Sequence, residues 1–345
     1  MTTLNLDLLQ NLCEISGVPG YEERVRSFIY KKVKYLCDSV ETDPMGNLLC
    51  RVNGISDDND TTMLACHMDE IGFIVNYIDE KGFIYCQPLG GFDPRNLFSR
   101  RVLVCTDNGD YSGVMNPAGL PIHLSKPEDR KNIPAADEFV IDIGMDANEC
   151  IKIGDFIVMD EPFLEMGNKI VSKALDNRVA CYLGIRVLEN FNTFSRPATD
   201  LVVVFTTQEE VGLRGAKTAA FGINPTVGIG VDVTLSCDTP GVPRNKWTTE
   251  QGKGFALGIR DASFIGDKSL VKLVEEIAEE NDIPYQRVVS AGGGMDGAAL
   301  QQAGSGCAAV AISVGTRYIH TVTEMVDIRD LEAAEAALHI LIESL

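Results

Sequence analysis

The sequence predicts an α/β protein: a mainly parallel sheet with helices on both faces, plus a small all-β domain inserted into it. Three observations carry this. Apolar, strand-like runs alternate with helical patterns before residue 68 and after residue 165. Between about 71 and 162 the chain instead shows short runs rich in β-branched and aromatic residues, broken by turns. With 345 residues, 45% of them hydrophobic, the chain is long enough for more than one core. The implied division is 1–68 plus 165–345 for the α/β part and 69–164 for the insert.

In chain order, residues 4–15 and 22–37 read as helices, the second placing Val25, Phe28, Ile29, Val33 and Leu36 on one face. Residues 47–52 read as a strand. Asn53-Gly54, followed by an acidic cluster, reads as a turn or hairpin tip. Residues 61–66 form an apolar strand ending at His67-Met68-Asp69-Glu70. In the insert, 72–78, 82–86, 101–105, 139–143 and 155–159 read as strands, and 116–136 as a long loop. Beyond it, helices are expected at 177–190, 213–221, 269–281, 296–304 and 329–344. Strands are expected at 201–205, 227–231, 285–290 and 307–314.

A formal charge of -20 argues against nucleic acid and anionic membranes as partners. No apolar run reaches the roughly 18–20 residues of a membrane span. The N-terminal stretch has neither a basic n-region nor an apolar h-region, so a cytoplasmic protein is expected. The ten cysteines form no Cys-x-x-Cys pair and read as reduced, mostly buried thiols.

Ligand-type residues recur where the expected strands end, which is where such sheets usually bind ligands. His67 and Asp69 end one strand, Glu209 and Glu210 a second, and Asp232 a third. His320 follows a fourth, and Asp176 opens the 177–190 helix. Each alone has an ordinary reading: Asp176 as a helix cap, either histidine as a core residue, Glu209-Glu210 as a solvated acidic turn. Together they suit a pair of divalent ions of the Zn, Co or Mn type. Two ions carry +4, which three carboxylates and a bridging hydroxide balance. Glu209 would then remain free to carry a proton.

These segments also resemble a known family. Ala65-Cys66-His67-Met68-Asp69-Glu70-Ile71-Gly72, Lys173-Ala174-Leu175-Asp176-Asn177-Arg178, Thr207-Gln208-Glu209-Glu210-Val211-Gly212, Val231-Asp232-Val233-Thr234 and Arg317-Tyr318-Ile319-His320 are similar to the signature blocks of the dinuclear glutamyl, or tetrahedral (TET), aminopeptidases. Members of that family also carry the label endoglucanase or cellulase M. The blocks occur in family order over essentially the whole chain. The resemblance implies that Asp176 bridges two metal ions, Zn2+ or Co2+ with Mn2+ as a third candidate. It implies that His67 and Asp232 complete one shell and Glu210 and His320 the other. Glu209 would be the general base, and Asp69 would back His67. Short peptides would be the substrates, and the 69–164 domain would form dimers that assemble into a tetrahedral dodecamer. Phe255, Met295 and Pro121-Ile122-His123 depart from the family pattern, which bears on substrate preference and loop shape.

Rival readings use the same residues differently. An N-acyl amino acid deacylase would share the ligands. A glycosidase would need two carboxylates and no metal. A non-catalytic assembly protein would have no need of Glu209.

Overall fold

The computed structural model describes residues 4–56, 60–121, 123–193 and 196–345; Ile122 and residues 57–59 of the acidic cluster lie outside the described residues. The strands before the insert are β1 (Ser39–Thr42), β2 (Leu48–Val52) and β3 (Thr61–His67). Those of the insert are β4 (Gly72–Ile78), β5 (Ile84–Leu89), β6 (Arg100–Thr106), β7 (Gly109–Pro117), β8 (Phe139–Asp142) and β9 (Phe156–Met159). After it come β10 (Leu164–Met166), β11 (Lys169–Ser172), β12 (Asp200–Thr206), β13 (Val227–Leu235), β14 (Phe255–Arg260), β15 (Tyr285–Val289), β16 (Ala308–Arg317) and β17 (Glu324–Asp327). The helices are α1 (Leu6–Glu14), α2 (Glu23–Val33), α3 (Leu175–Thr193), α4 (Arg214–Ile223), α5 (Lys268–Glu280), α6 (Asp296–Gln301) and α7 (Ile328–Ser344).

The insert is a closed six-stranded barrel, β4-β5-β8-β7-β6-β9, filled by its own core of Phe73, Val102, Val104, Phe139, Ile141 and Ile157. The other strands make one large sheet. Its centre, β12-β3-β13-β16, is parallel, and the strands flanking that centre join it antiparallel, with β15 added parallel to β14 at one edge. Central strands bury both faces, so their side chains alternate between two apolar layers. Leu201, Val203 and Phe205 of β12 meet the layer of α1, α2, α3, α5 and α7, while Val202 and Val204 meet α4 and α6.

Some expectations need correction. Residues 53–54 are not a hairpin tip, because β12 lies between β2 and β3. Asp232 does not end a strand, since β13 runs on to Leu235. Its extension pairs with β16 alone, because the β3 pairing stops at Gly230 opposite Ala65. Strands β1, β7, β10, β11, β14 and β17 were not foreseen. Most are only three or four residues long, and β14 begins directly after the turn at Gly252–Gly254. Regular helix in α3 begins only after Asp176 and Asn177, whose backbones are non-helical and whose shared peptide is cis.

Candidate metal centre

The site lies where β3 and β13 part. His67 is two residues past Ala65, and Asp232 is two past Gly230, with which Ala65 pairs. The strand period of two therefore puts both side chains on one face, beyond the last paired residues. That face is the α4/α6 side, and the short α6 leaves part of it uncovered.

Asp176 stands between two histidines. One carboxylate oxygen lies 3.2 Å from His67 Nε2 and the other 3.6 Å from His320 Nε2. Asp232 Oδ1 is 3.8 Å from His67 Nε2, and Glu210 Oε2 is 3.3 Å from His320 Nε2. Glu209 reaches the same space, with Oε2 at 3.9 Å from His67 Nε2. Two groups have ligand atoms all within 4.8 Å of one another: His67, Asp176 and Glu210, and His67, Glu209 and Asp232. All the sequence-expected ligands thus come together.

The turn after β12 is held by side chains from elsewhere in the chain. Four consecutive backbone N–H groups donate to them: Thr207 to Asn47 Oδ1 at 2.9 Å, Gln208 to Glu22 Oε1 at 3.0 Å, and Glu209 and Glu210 to the two oxygens of Asp69 at 3.0 and 3.1 Å. Asn47, Glu22 and Asp69 are all buried. Asp69 therefore holds the Glu209-Glu210 backbone with its carboxylate, while its carbonyl oxygen sits 3.1 Å from His67 Nδ1. On the other side, Glu324 accepts from the backbone N–H of Asp176 at 2.9 Å and of His320 at 2.8 Å. Glu22, Asn47 and Glu324 were not found by sequence reasoning. They resemble an ordinary helix-start acid, a turn residue and a strand-end acid, and their partners are distant in sequence.

The electrostatics ask for positive charge. Burial, with repulsion from neighbouring carboxylates, pushes Glu209, Glu210 and Asp232 above the ordinary carboxylate range. Burial opposes charge on His320, yet Glu210 and Asp176 push it up to about 9. Glu210 Oε1 is buried without a hydrogen-bond partner. An orphaned carboxylate oxygen, two imidazoles and a crowd of acids fit divalent cations, which would satisfy the oxygen and offset the repulsion.

A parallel-centred sheet with acids and imidazoles gathered at its carboxyl edge is an arrangement suited to metal-assisted hydrolysis. Comparison narrows it. Residues 46–336 match the M42 glutamyl aminopeptidase model, and the chain belongs to that family. It is 36% identical to a putative aminopeptidase of Acetivibrio thermocellus, over 95% of each chain. It superposes with a TM-score of 0.92 on the aminopeptidase APDkam598 from the archaeon Desulfurococcus kamchatkensis, at 35% identity, covering 98% of this chain and 94% of that one. It superposes with a TM-score of 0.88 on the Pyrococcus horikoshii TET1 peptidase, at 30% identity and 99% coverage of both; that peptidase can assemble into a tetrahedron or a large octahedral shell.

Proposed function

We propose that this metal-dependent aminopeptidase removes N-terminal residues from short peptides with two divalent ions held by His67, Asp176, Glu210, Asp232 and His320. The observation that supports it best is Asp176, whose two oxygens face different histidines. His67 and Asp232 would hold one ion with Asp176, and Glu210 and His320 the other. Three protein ligands on an ion leave a position for water or substrate. Donating Nδ1–H to the Asp69 carbonyl would leave His67 Nε2 free as a ligand atom.

Bound ions would acidify water and polarise the scissile carbonyl. Glu209 would take the water's proton and pass it to the leaving amine. It is assigned as base because Glu210, not Glu209, pairs with His320, and because His67, Asp232 and Asp176 already offer three ligands. Asp69 and Glu22 would fix its distance from the ligands through the 207–210 backbone. Imidazole and carboxylate donors suit Zn2+ or Co2+, with Mn2+ as the third candidate.

The 69–164 region would be the dimerisation domain, with dimers building a tetrahedral dodecamer; the likeness to the TET1 peptidase, which can assemble into a tetrahedron, supports such an assembly. We place the protein in the cytoplasm: its ten cysteines are all free, and no described helix is long and apolar enough to cross a membrane. Purified protein should hydrolyse aminoacyl-anilides, lose that activity with chelator, and regain it with Co2+ or Zn2+. Turnover of N-acetyl amino acids alone would favour the deacylase instead.

A further inference from the structure

The sheet beside the metal ligands is carpeted with small residues, and its register shows where they lie. Asp232 of β13 is paired with Ser313 of β16, and Ser313 with Ala256 of β14. One step along, Gly230 is paired with Ala311 and Ala311 with Gly258. All face the α6 side, because the intervening Val231, Ile312 and Leu257 belong to the opposite layer. A floor with at most a methyl or hydroxyl per position thus runs two strand spacings outward, about 4.8 Å each, from the ligand Asp232.

Ala256, Gly258, Ala311 and Ser313 of this floor underlie a cavity of about 540 Å³ that also contains the metal-site side chains. Phe264 and Met295 wall it and pack with Ala311. A side chain on Gly258 would not fit freely, since its Cβ would come within 2.8 Å of Ala311 Cβ. Floor and walls carry no charge. Besides the metal-site side chains, two charged groups line the cavity, Arg260 at the end of β14 and Asp261 in the turn that follows. Arg260 is exposed and donates to the Ser290 carbonyl, while Asp261 caps the N–H groups of Ser263 and Phe264.

We propose that this well receives the side chain of the substrate's N-terminal residue and selects apolar side chains of leucine or methionine size over charged ones. The proposal rests on the aminopeptidase reading. The scissile carbonyl must reach the ligand set, so the residue bearing the free amine lies beside Asp232, where the floor begins. A lysyl or glutamyl side chain laid along that floor would lose water, and the charges facing it from the rim, Arg260 and Asp261, are already engaged by the Ser290 carbonyl and by the Ser263 and Phe264 N–H groups. A leucyl chain would bury its carbons against Ala256, Ala311, Phe264 and Met295.

Two measurements on the metal-loaded protein test this. Across aminoacyl-anilides, kcat/KM for leucyl and methionyl substrates should exceed that for lysyl and glutamyl by at least about 100-fold. By calorimetry, free L-leucine should bind at least about 10-fold more tightly than L-lysine or L-glutamate. Ala256→Leu, which fills the floor, should lower the leucyl-to-alanyl ratio of kcat/KM by at least about 10-fold. Should that variant fail to fold, Met295→Ala, which widens a wall, should raise the phenylalanyl-to-leucyl ratio. Preference for a charged residue would overturn the proposal while leaving the aminopeptidase reading intact. No turnover of any aminoacyl-anilide would overturn both.

Discussion

The two halves of the candidate metal centre are held by different means. His67 and Asp232 stand on strands, where the sheet's register sets their direction, and the His67 side chain is only 2% exposed. His320 stands on a turn, its side chain 32% exposed, with Tyr318 and His320 at φ of 60° and 64°. Non-glycine residues are strained in that region unless their surroundings hold them there. Buried Glu324 ties this turn down and binds it to Asp176 at the same time. A site side chain on a strand is placed by the sheet, whereas one on a turn needs a dedicated buried partner. The 207–210 turn bears this out, with Asn47, Glu22 and Asp69 holding four successive N–H groups.

The largest effect should come from removing chemistry without disturbing either half. Glu209→Gln should lower kcat by at least about 10²–10⁴-fold, with metal content by elemental analysis unchanged; a near-parental kcat would remove Glu209 as base. Asp176→Ala, which removes the carboxylate facing both histidines, should deplete metal from both sides. Glu324→Ala should deplete the His320 side and leave about one ion per chain. Two ions retained in Glu324→Ala would mean that the turn needs no such partner.

A smaller effect is expected at Glu22. Glu22→Ala, which loses the bond to the Gln208 N–H, should reduce kcat about 10–100-fold, in line with the roughly 1.5–3 kcal/mol of a charge-assisted hydrogen bond. Glu22→Gln keeps an oxygen acceptor and should recover most of the loss, with KM nearly constant in both variants. Equal losses in the two would argue for carboxylate charge over turn geometry.

The smallest effect sharpens the contrast by leaving the centre alone. Burial would raise Asp327, but its bonds to Arg329 and Lys169 hold it down at about 2, below its ordinary 3.8. The unfolded chain therefore takes up the proton first. The stabilisation is full above pH 3.8 and is lost as pH falls through about 2. In chelator-treated protein, Asp327→Asn should flatten the acid limb of the urea midpoint against pH; an unchanged limb would show that the ion pairs contribute nothing.

The same contrast explains what was legible in the sequence. His67 and Glu209-Glu210 stood out because an apolar run stops at each, which is a local signal. Asp232 could be picked out by the same means although its strand runs on, since the crevice arises from where β3 ends. The barrel was legible from its short runs and turns. The supporting residues were not. Glu22 meets Gln208 across 186 positions and Asn47 meets Thr207 across 160, and no periodicity reports contacts at such separation. The small-residue floor was hidden for a related reason: Ala256 and Gly258 gain meaning only through pairing with Ser313 and Ala311.

The division of labour within Glu209-Glu210 is tested most directly by anomalous diffraction from crystals grown with Zn2+ or Co2+. The expected result is two metal peaks per chain, Asp176 bonded to both, Glu210 bonded to the ion beside His320, and Glu209 outside the roughly 2.0–2.2 Å bonding range of either. A Glu209 oxygen within that range, or a single ion that Asp176 does not bridge, would contradict it.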